Sequence, residues 1–322
     1  MKDFAGKIAV ITGGGTGMGR ELARQLVADG CNVAMCDVSQ KSMAATKALC
    51  EQDAPQGTRV TTHLADVSDE AQVLAFRDAV GRDQETDKIH LLFNNAGIGG
   101  GGSLVAGERT DWERTFNICW GGVYLCTRAF MPMLMSANEA HIVNTSSVNG
   151  FWASLGPSVP HTAYSAAKFA VKGFTEALIA DLRVNAPHVK CSVVMPGHIG
   201  TEIAANTRKV LSGVDSETLD AKQLAQARAG MTARGMDAVA MSDADIQAMA
   251  GEMARRFRDD APMTAAQAAR VILEGVKADK WRILVGEDAH RLDALVRSEP
   301  EHVYDPDFFQ RLATEAGWRL GS

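Results

Sequence analysis

Seven short apolar runs punctuate the chain, separated by longer stretches whose apolar residues recur every three or four positions. The runs are Lys7–Thr12, Asn32–Asp37, Thr58–Asp66, Lys88–Asn95, His141–Ser147, Val189–Pro196 and Trp281–Gly286. Each is rich in Val, Ile or Leu with little polar alternation, as expected of parallel strands covered on both faces. Between them the spacing predicts helices near 17–29, 39–53, 69–84, 110–136, 161–186 and 264–279. Start signals mark three of these: Ser68 before "DEAQVLAFRDAV", Thr110 before "DWERTF" and Thr264 before "AAQAARVILEGV". Such alternation calls for an α/β architecture, a Rossmann-type doubly wound parallel sheet of about seven strands in three α/β/α layers.

Two segments break the rhythm. Residues from about 203 to 263 carry helical patches and many Met and Ala but no clear strand, so they read as a helical insertion before the last strand. The tail 287–322, with "SEPEHVYDPDFF", is polar and reads as an irregular extension that wraps the body or reaches a neighbouring subunit. The whole of 1–322 is expected to form a single domain.

Composition narrows the class. The 322 residues carry a formal charge of −6, with 46% hydrophobic and 22% charged residues, as in an ordinary globular protein. No basic stripe marks a nucleic-acid partner, because Arg255, Arg256 and Arg258 are followed at once by Asp259 and Asp260. The six cysteines make no C-x-x-C pair and no His cluster has zinc spacing, so buried reduced thiols and no metal are expected. The start, "MKDFAGKIAVITGGG", runs directly into a strand without a signal-peptide pattern, and no apolar run of membrane-spanning length is evident. A cytoplasmic location without membrane contact is the expectation.

Candidate chemistry begins at "ITGGGTGMGRELARQL", a glycine-rich turn between a strand and a helix. Gly13, Gly17 and Gly19 remove side chains where the chain turns and a ligand approaches, with Thr16 and Met18 in the same turn. The helix beginning near Gly17 aims free N–H groups at a pyrophosphate. About 20 residues on, Asp37 ends the second strand, followed by Val38; a carboxylate there accepts ribose hydroxyls and repels a 2′-phosphate, favouring NAD over NADP. Asp66 and Val67, ending the third strand, are placed to meet the adenine, although an Asp there also serves as a helix cap. In "NNAG" the two amides, Asn94 and Asn95, either tie strands together or face the cofactor ribose, and Asn94, Ala96 and Gly97 are candidate cofactor contacts.

"YSAAK" places Tyr164 and Lys168 one helical turn apart on one face. Together "TGGGTGMG", "NNAG", Asn117 in "FNICWGGV", "NTSS", "YSAAK" and "PGHIGT" resemble the classical short-chain dehydrogenases/reductases over roughly residues 5–286. The resemblance implies hydride exchange between NAD and a secondary alcohol or ketone, with Tyr164 as general acid/base. A free phenol has a pKa of about 10, and the Lys168 cation is expected to lower it. Lys168 is also expected to bond the cofactor ribose. Ser147 is the expected partner of the substrate oxygen; Ser146 is adjacent to it, and Ser154 is a weaker candidate in a connection a few residues longer than the family pattern. The resemblance further assigns Asn117 to a proton relay, and Pro196, Gly197, Ile199 and Thr201 to the nicotinamide. His198 receives no chemical role.

Phe151, Trp152 and Leu155, the glycine-rich "GIGGGGSLV" read as flexible, and Met231, Met236 and Met241 are candidate walls for a hydrophobic, bulky (steroid-like or aromatic) substrate, the methionines also being plausible plain core. Helices near 110–136 and 161–186 are expected to build a homodimer or homotetramer. The competing class is a dinucleotide-binding sensor without catalysis, against which the presence of both Tyr164 and Lys168 speaks.

Overall fold

The structure, a computed structural model, describes residues 1–156, 159–213, 218–233, 235–315 and 318. Its strands are β1 (Ile8–Thr12), β2 (Asn32–Asp37), β3 (Val60–Leu64), β4 (Leu91–Asn94), β5 (Ala140–Thr145), β6 (Val189–Pro196), β7 (Ile199–Gly200), β8 (Met263–Thr264) and β9 (Arg282–Val285). Seven of them form one sheet in the order β3-β2-β1-β4-β5-β6-β9, every pair parallel. β7 and β8 make a separate two-stranded ladder at the two ends of the region expected to lack strands. The order reverses between β1 and β4, which opens a crevice at the carboxyl ends of those strands.

The helices are α1 (Gly17–Ala28), α2 (Gln40–Asp53), α3 (Glu70–Asp83), α4 (Arg109–Phe116), α5 (Gly122–Met135), α6 (Thr162–Asn185), α7 (Ile203–Ser212), α8 (Ala221–Ala233), α9 (Asp243–Asp259), α10 (Ala265–Lys277), α11 (Glu287–Ser298) and α12 (Pro306–Glu315). A π-helical turn, Asn117–Gly121, joins α4 to α5. Thr264 caps α10 in a reciprocal capping box with Gln267. The other two start signals are displaced. Asp69, not Ser68, caps α3 by accepting from the Gln72 N–H at 3.1 Å. Helix α4 begins at Arg109, so Thr110 lies inside its first turn.

Successive strand residues face opposite sides, and both sides are packed. Val10, Leu92 and Ile142 meet Phe76 and Phe130 on one face. Ile11, Met35 and Val143 meet Leu22, Leu26 and Ile272 on the other. The continuous segment Arg109–Met135 is long and apolar enough to cross a membrane by length and composition, contrary to the reading of the sequence. More than half of its apolar window is buried inside the protein, with Cys126, Phe130 and Leu134 packed on the sheet, so its apolar face belongs to the core.

The two irregular segments are ordered differently from expectation. In the insertion, Leu219, Met231, Ala238, Ile246 and Ala250 form a small core of their own, with Met236 and Met241 packed against it. The methionines are therefore plain core. The tail is two helices rather than an irregular strand of polar residues. Their apolar positions Ala289, Leu292, Phe308 and Leu312 recur at helical spacing and close over Trp152 and Trp318. Residues 214–217, 234, 316–317 and 319–322 of these segments, and 157–158 of the loop before α6, lie outside the described residues.

Candidate active site

The crevice is a cleft of about 830 Å³. Gly13, Thr16, Gly17, Met18, Asp37, Val38, Asp66, Val67, Ala96, Gly97 and Thr201 all line it, as the sequence suggested. Gly13 has φ +67°, and a Cβ on it would stand 2.8 Å from Ala96 Cα. Thr16 precedes α1 with no side-chain cap on the helix, so the first-turn N–H groups are left for an anion. Gly19 has another job: its Cβ would fall 2.0 Å from the Gly13 carbonyl oxygen, so its lack of a side chain lets helix and turn close on each other.

Asp37 accepts the N–H groups of Gly15 and Ser39, both at 3.0 Å. Burial holds its carboxyl above the ordinary value, and those N–H groups and Arg20 oppose the rise. Asp66 is paired with Arg114 and Ser68 at the rim. Burial pushes its carboxyl up, but the hydrogen bonds from Arg114 and Ser68 outweigh that, and it ends below the usual range. A glycine turn, an uncapped helix start and a carboxylate at the far end fit a dinucleotide.

Asn94 does not belong to this lining. It is sealed in the core, donating to Thr127 at 2.9 Å and Asn144 at 2.8 Å, and so ties β4 to α5 and β5. Its neighbour Asn95 faces the cleft and braces the turn through Thr12 O (3.1 Å) and Gly13 O. The Ile199 side chain also turns into the core, leaving Thr201 as the lining side chain of that loop. Pro196 ends β6, and Gly197 fits against the tail: a Cβ there would collide with the Asp288 carboxylate at 2.3 Å. Asp288 accepts the His198 N–H at 2.7 Å, so a residue of α11 holds the loop after β6. His198 is a packing residue, its ring 4.6 Å from Phe257 and bonded to the Phe257 carbonyl. Nothing in the local sequence marks Asp288 for this task.

Beyond the cleft, Tyr164 and Lys168 share one face of α6, with Lys168 Nζ 5.2 Å from the phenol ring centre. Ser147 lies beside the Tyr164 side chain and acts to lower its phenol. Ser146 instead donates to the Lys168 carbonyl at 2.8 Å, and Ser154 is engaged with Gly156 in its own loop. Of the three serines, Ser147 is the one that acts on the phenol. The expected depression of the Tyr164 phenol is not what the protein alone produces. Burial pushes it up, Cys119 adds to this, and Ser147 only opposes them. Lys168 is 2% exposed, donates to Thr145 O at 2.8 Å, and is itself lowered by burial. Desolvation thus outweighs the neighbouring charge.

Asn117 opens the π turn, but its side chain is exposed and hydrogen-bonds to none of the described residues. The side chain presented to Lys168 is that of Cys119, buried and donating to Ile98 O at 3.2 Å. A Cβ on Gly97 would touch both Cys119 Sγ and Lys168 Nζ at 3.6 Å, which locates the thiol beside the ammonium. Two residues turn roughly half a revolution round a helical turn, so 117 and 119 face opposite ways. The relay expected of Asn117, through water and Lys168, thus has no direct side-chain contact behind it among the described residues.

The expected pocket walls also change. Trp152 is fully buried, and Phe151 and Leu155 pack in the same cluster beneath α11 and α12. The run Gly100–Gly102 is tightly threaded: added Cβ atoms would meet Thr115, Ala163 and the Pro160 carbonyl at 2.7, 2.5 and 2.9 Å. Helix α7 roofs the cleft, with Asn206 donating to Thr16 and Thr207 accepting from Gly99 N.

A family model described as short chain dehydrogenase matches residues 7–211. SadH of Mycobacterium tuberculosis, which carries a provisional oxidoreductase name, is 35% identical over 297 residues, 92% of each chain. The levodione reductase of Leifsonia aquatica is 33% identical over 214 residues, 65% of this chain and 75% of that one. A solved short-chain dehydrogenase/reductase from Burkholderia phymatum in complex with NAD aligns at TM-score 0.74 and 31% identity, covering 95% of this chain and 98% of that one.

Proposed function

Because the chain belongs to the short-chain dehydrogenase family of oxidoreductases, we propose that it interconverts a secondary alcohol and a ketone with NAD, on a bulky hydrophobic substrate. The observation that carries this reading is the convergence of Ser147, Tyr164 and Lys168 beside a cleft that ends on Asp37. A bound nicotinamide supplies the hydride exchange. The chain supplies the proton: in the reducing direction Tyr164, kept protonated by its burial, donates to the oxygen of the forming alcohol while Ser147 donates a second hydrogen bond. Lys168, 5.2 Å from the ring, stabilises the phenolate left behind.

Asp37 supports NAD over NADP, since a second anion beside this carboxylate is unfavourable. Ile118, and Ile203 and Val210 on α7, line the cleft and support the hydrophobic preference. Tyr124 on α5 and Phe169 on α6 are exposed and support assembly into a homodimer or homotetramer through these helices. Sedimentation of a monomer only would remove that part.

The test is Tyr164→Phe, followed by NADH absorbance with a panel of bulky secondary alcohols and ketones. A loss of about 10²–10⁴-fold is expected, and unchanged turnover defeats the assignment. A phenol raised above its usual value has the sign of an acid at neutral pH: reduction stays flat there, while alcohol oxidation, which needs the phenolate, rises towards alkaline pH. A Kd for NADPH as tight as that for NADH contradicts the role of Asp37.

A further inference from the structure

His161 immediately precedes α6, one turn ahead of Tyr164, and its ring centre lies 4.6 Å from that of the phenol with the planes 34° apart. Burial pulls the imidazole down to about 4, so at working pH it is neutral, with one N–H donor and one bare acceptor nitrogen. Three other histidines withdrawn from water have polar partners. His90 accepts from Ile8 N at 3.1 Å, His141 meets the Ser192 hydroxyl at 2.6 Å, and His198 meets the Phe257 carbonyl at 2.6 Å. His161 touches the Tyr164 ring, but neither ring nitrogen has a hydrogen-bond partner among the described residues. Nor are those nitrogens among the sealed polar atoms without partners, so they stay accessible on a ring that lies against the phenol. The imidazole thus holds one donor and one acceptor beside the phenol that no described residue uses.

We propose that His161 is a specificity-determining residue that hydrogen-bonds a second oxygen of the substrate while Tyr164 and Ser147 hold the reacting one. The preferred substrate class is then a ketone or secondary alcohol bearing a further hydroxyl or carbonyl within a few bonds of the reacting carbon. The short separation of the two rings sets that limit. The inference rests on the reading of Tyr164 as the proton-transfer residue. It asks nothing of His161 in the proton transfer itself, since the ring keeps one charge state across the neutral range.

The experiment compares cyclohexanone with hydroxycyclohexanones and cyclohexanediones in the full chain with NADH. His161→Phe keeps a ring against Tyr164 but removes both nitrogens, and His161→Asn keeps a donor and an acceptor. With His161→Phe, kcat/KM for the doubly oxygenated substrates is expected to fall about tenfold or more, and that for cyclohexanone to stay within about twofold. His161→Asn recovers part of the loss. An equal fall on all substrates, or no fall on any, overturns the inference. Calorimetric binding of a hydroxycyclohexanone to Tyr164→Phe and to the Tyr164→Phe, His161→Phe double variant separates this from the proposed reaction. Weaker binding by the double variant supports His161 even where turnover is absent throughout, which would instead sink the alcohol–ketone reading. Equal binding overturns the role of His161.

Discussion

At the turn between β1 and α1 the chain closes on itself by leaving side chains out, whereas around Ser147 and Tyr164 it is held by some of the largest side chains in the molecule. Gly13 and Gly19 approach backbone atoms at distances no Cβ tolerates. Trp152, by contrast, is clasped by Phe308, Phe309 and Trp318, and its indole donates to the Val303 carbonyl at 3.0 Å. The Tyr304 hydroxyl and the Trp318 indole bond Ala153 N and Leu155 O of the same loop. One end of the site is therefore a local device built within a few residues. The other depends on chain more than 150 positions away. Local devices survive damage elsewhere; clamped loops do not, and this separation can be tested.

The largest effect is expected from Trp152→Ala. Emptying that position costs about 3–5 kcal/mol, read as a lower denaturant midpoint. If the two ends are independent, NADH affinity persists under native conditions while turnover falls. A parallel loss of both breaks the comparison. Next comes Gly19→Ala, whose methyl would sit 2.0 Å from the Gly13 carbonyl oxygen and forces the turn to move. Dinucleotide affinity should weaken about hundredfold by calorimetry, with the tail cluster still protected from proteolysis. The smallest effect belongs to Asn117→Ala, where kcat/KM should stay within about twofold, as for other exposed positions. A large loss there would return the π-turn asparagine to the chemistry.

Much of this was legible beforehand, and the misses have physical causes. All seven main strands and the six helical segments expected between them, one of which is α4 and α5 joined by the π turn, followed from apolar period, because burial on both faces leaves little freedom of composition. The tail helices were missed because charged residues dilute a narrow apolar stripe, and only the docking of that stripe on Trp152 makes it a helix face. Two of the site readings turn on facing. Asn94 and Asn95 are neighbours on a strand and so point opposite ways, one to the core and one to the cleft. Asn117 and Cys119 are two apart on a helical turn, with the same outcome.

Sequence by itself determined the sheet, the glycine turn with its distant Asp37, and the pairing of Tyr164 with Lys168, because each follows from residue spacing along one or two elements. Only the tertiary structure decided which serine meets the phenol, that Cys119 rather than Asn117 lies beside the ammonium, that Asp288 holds the loop after β6, and that burial raises Tyr164. Those outcomes depend on which faces meet and how much water they exclude, and neither is encoded in a spacing.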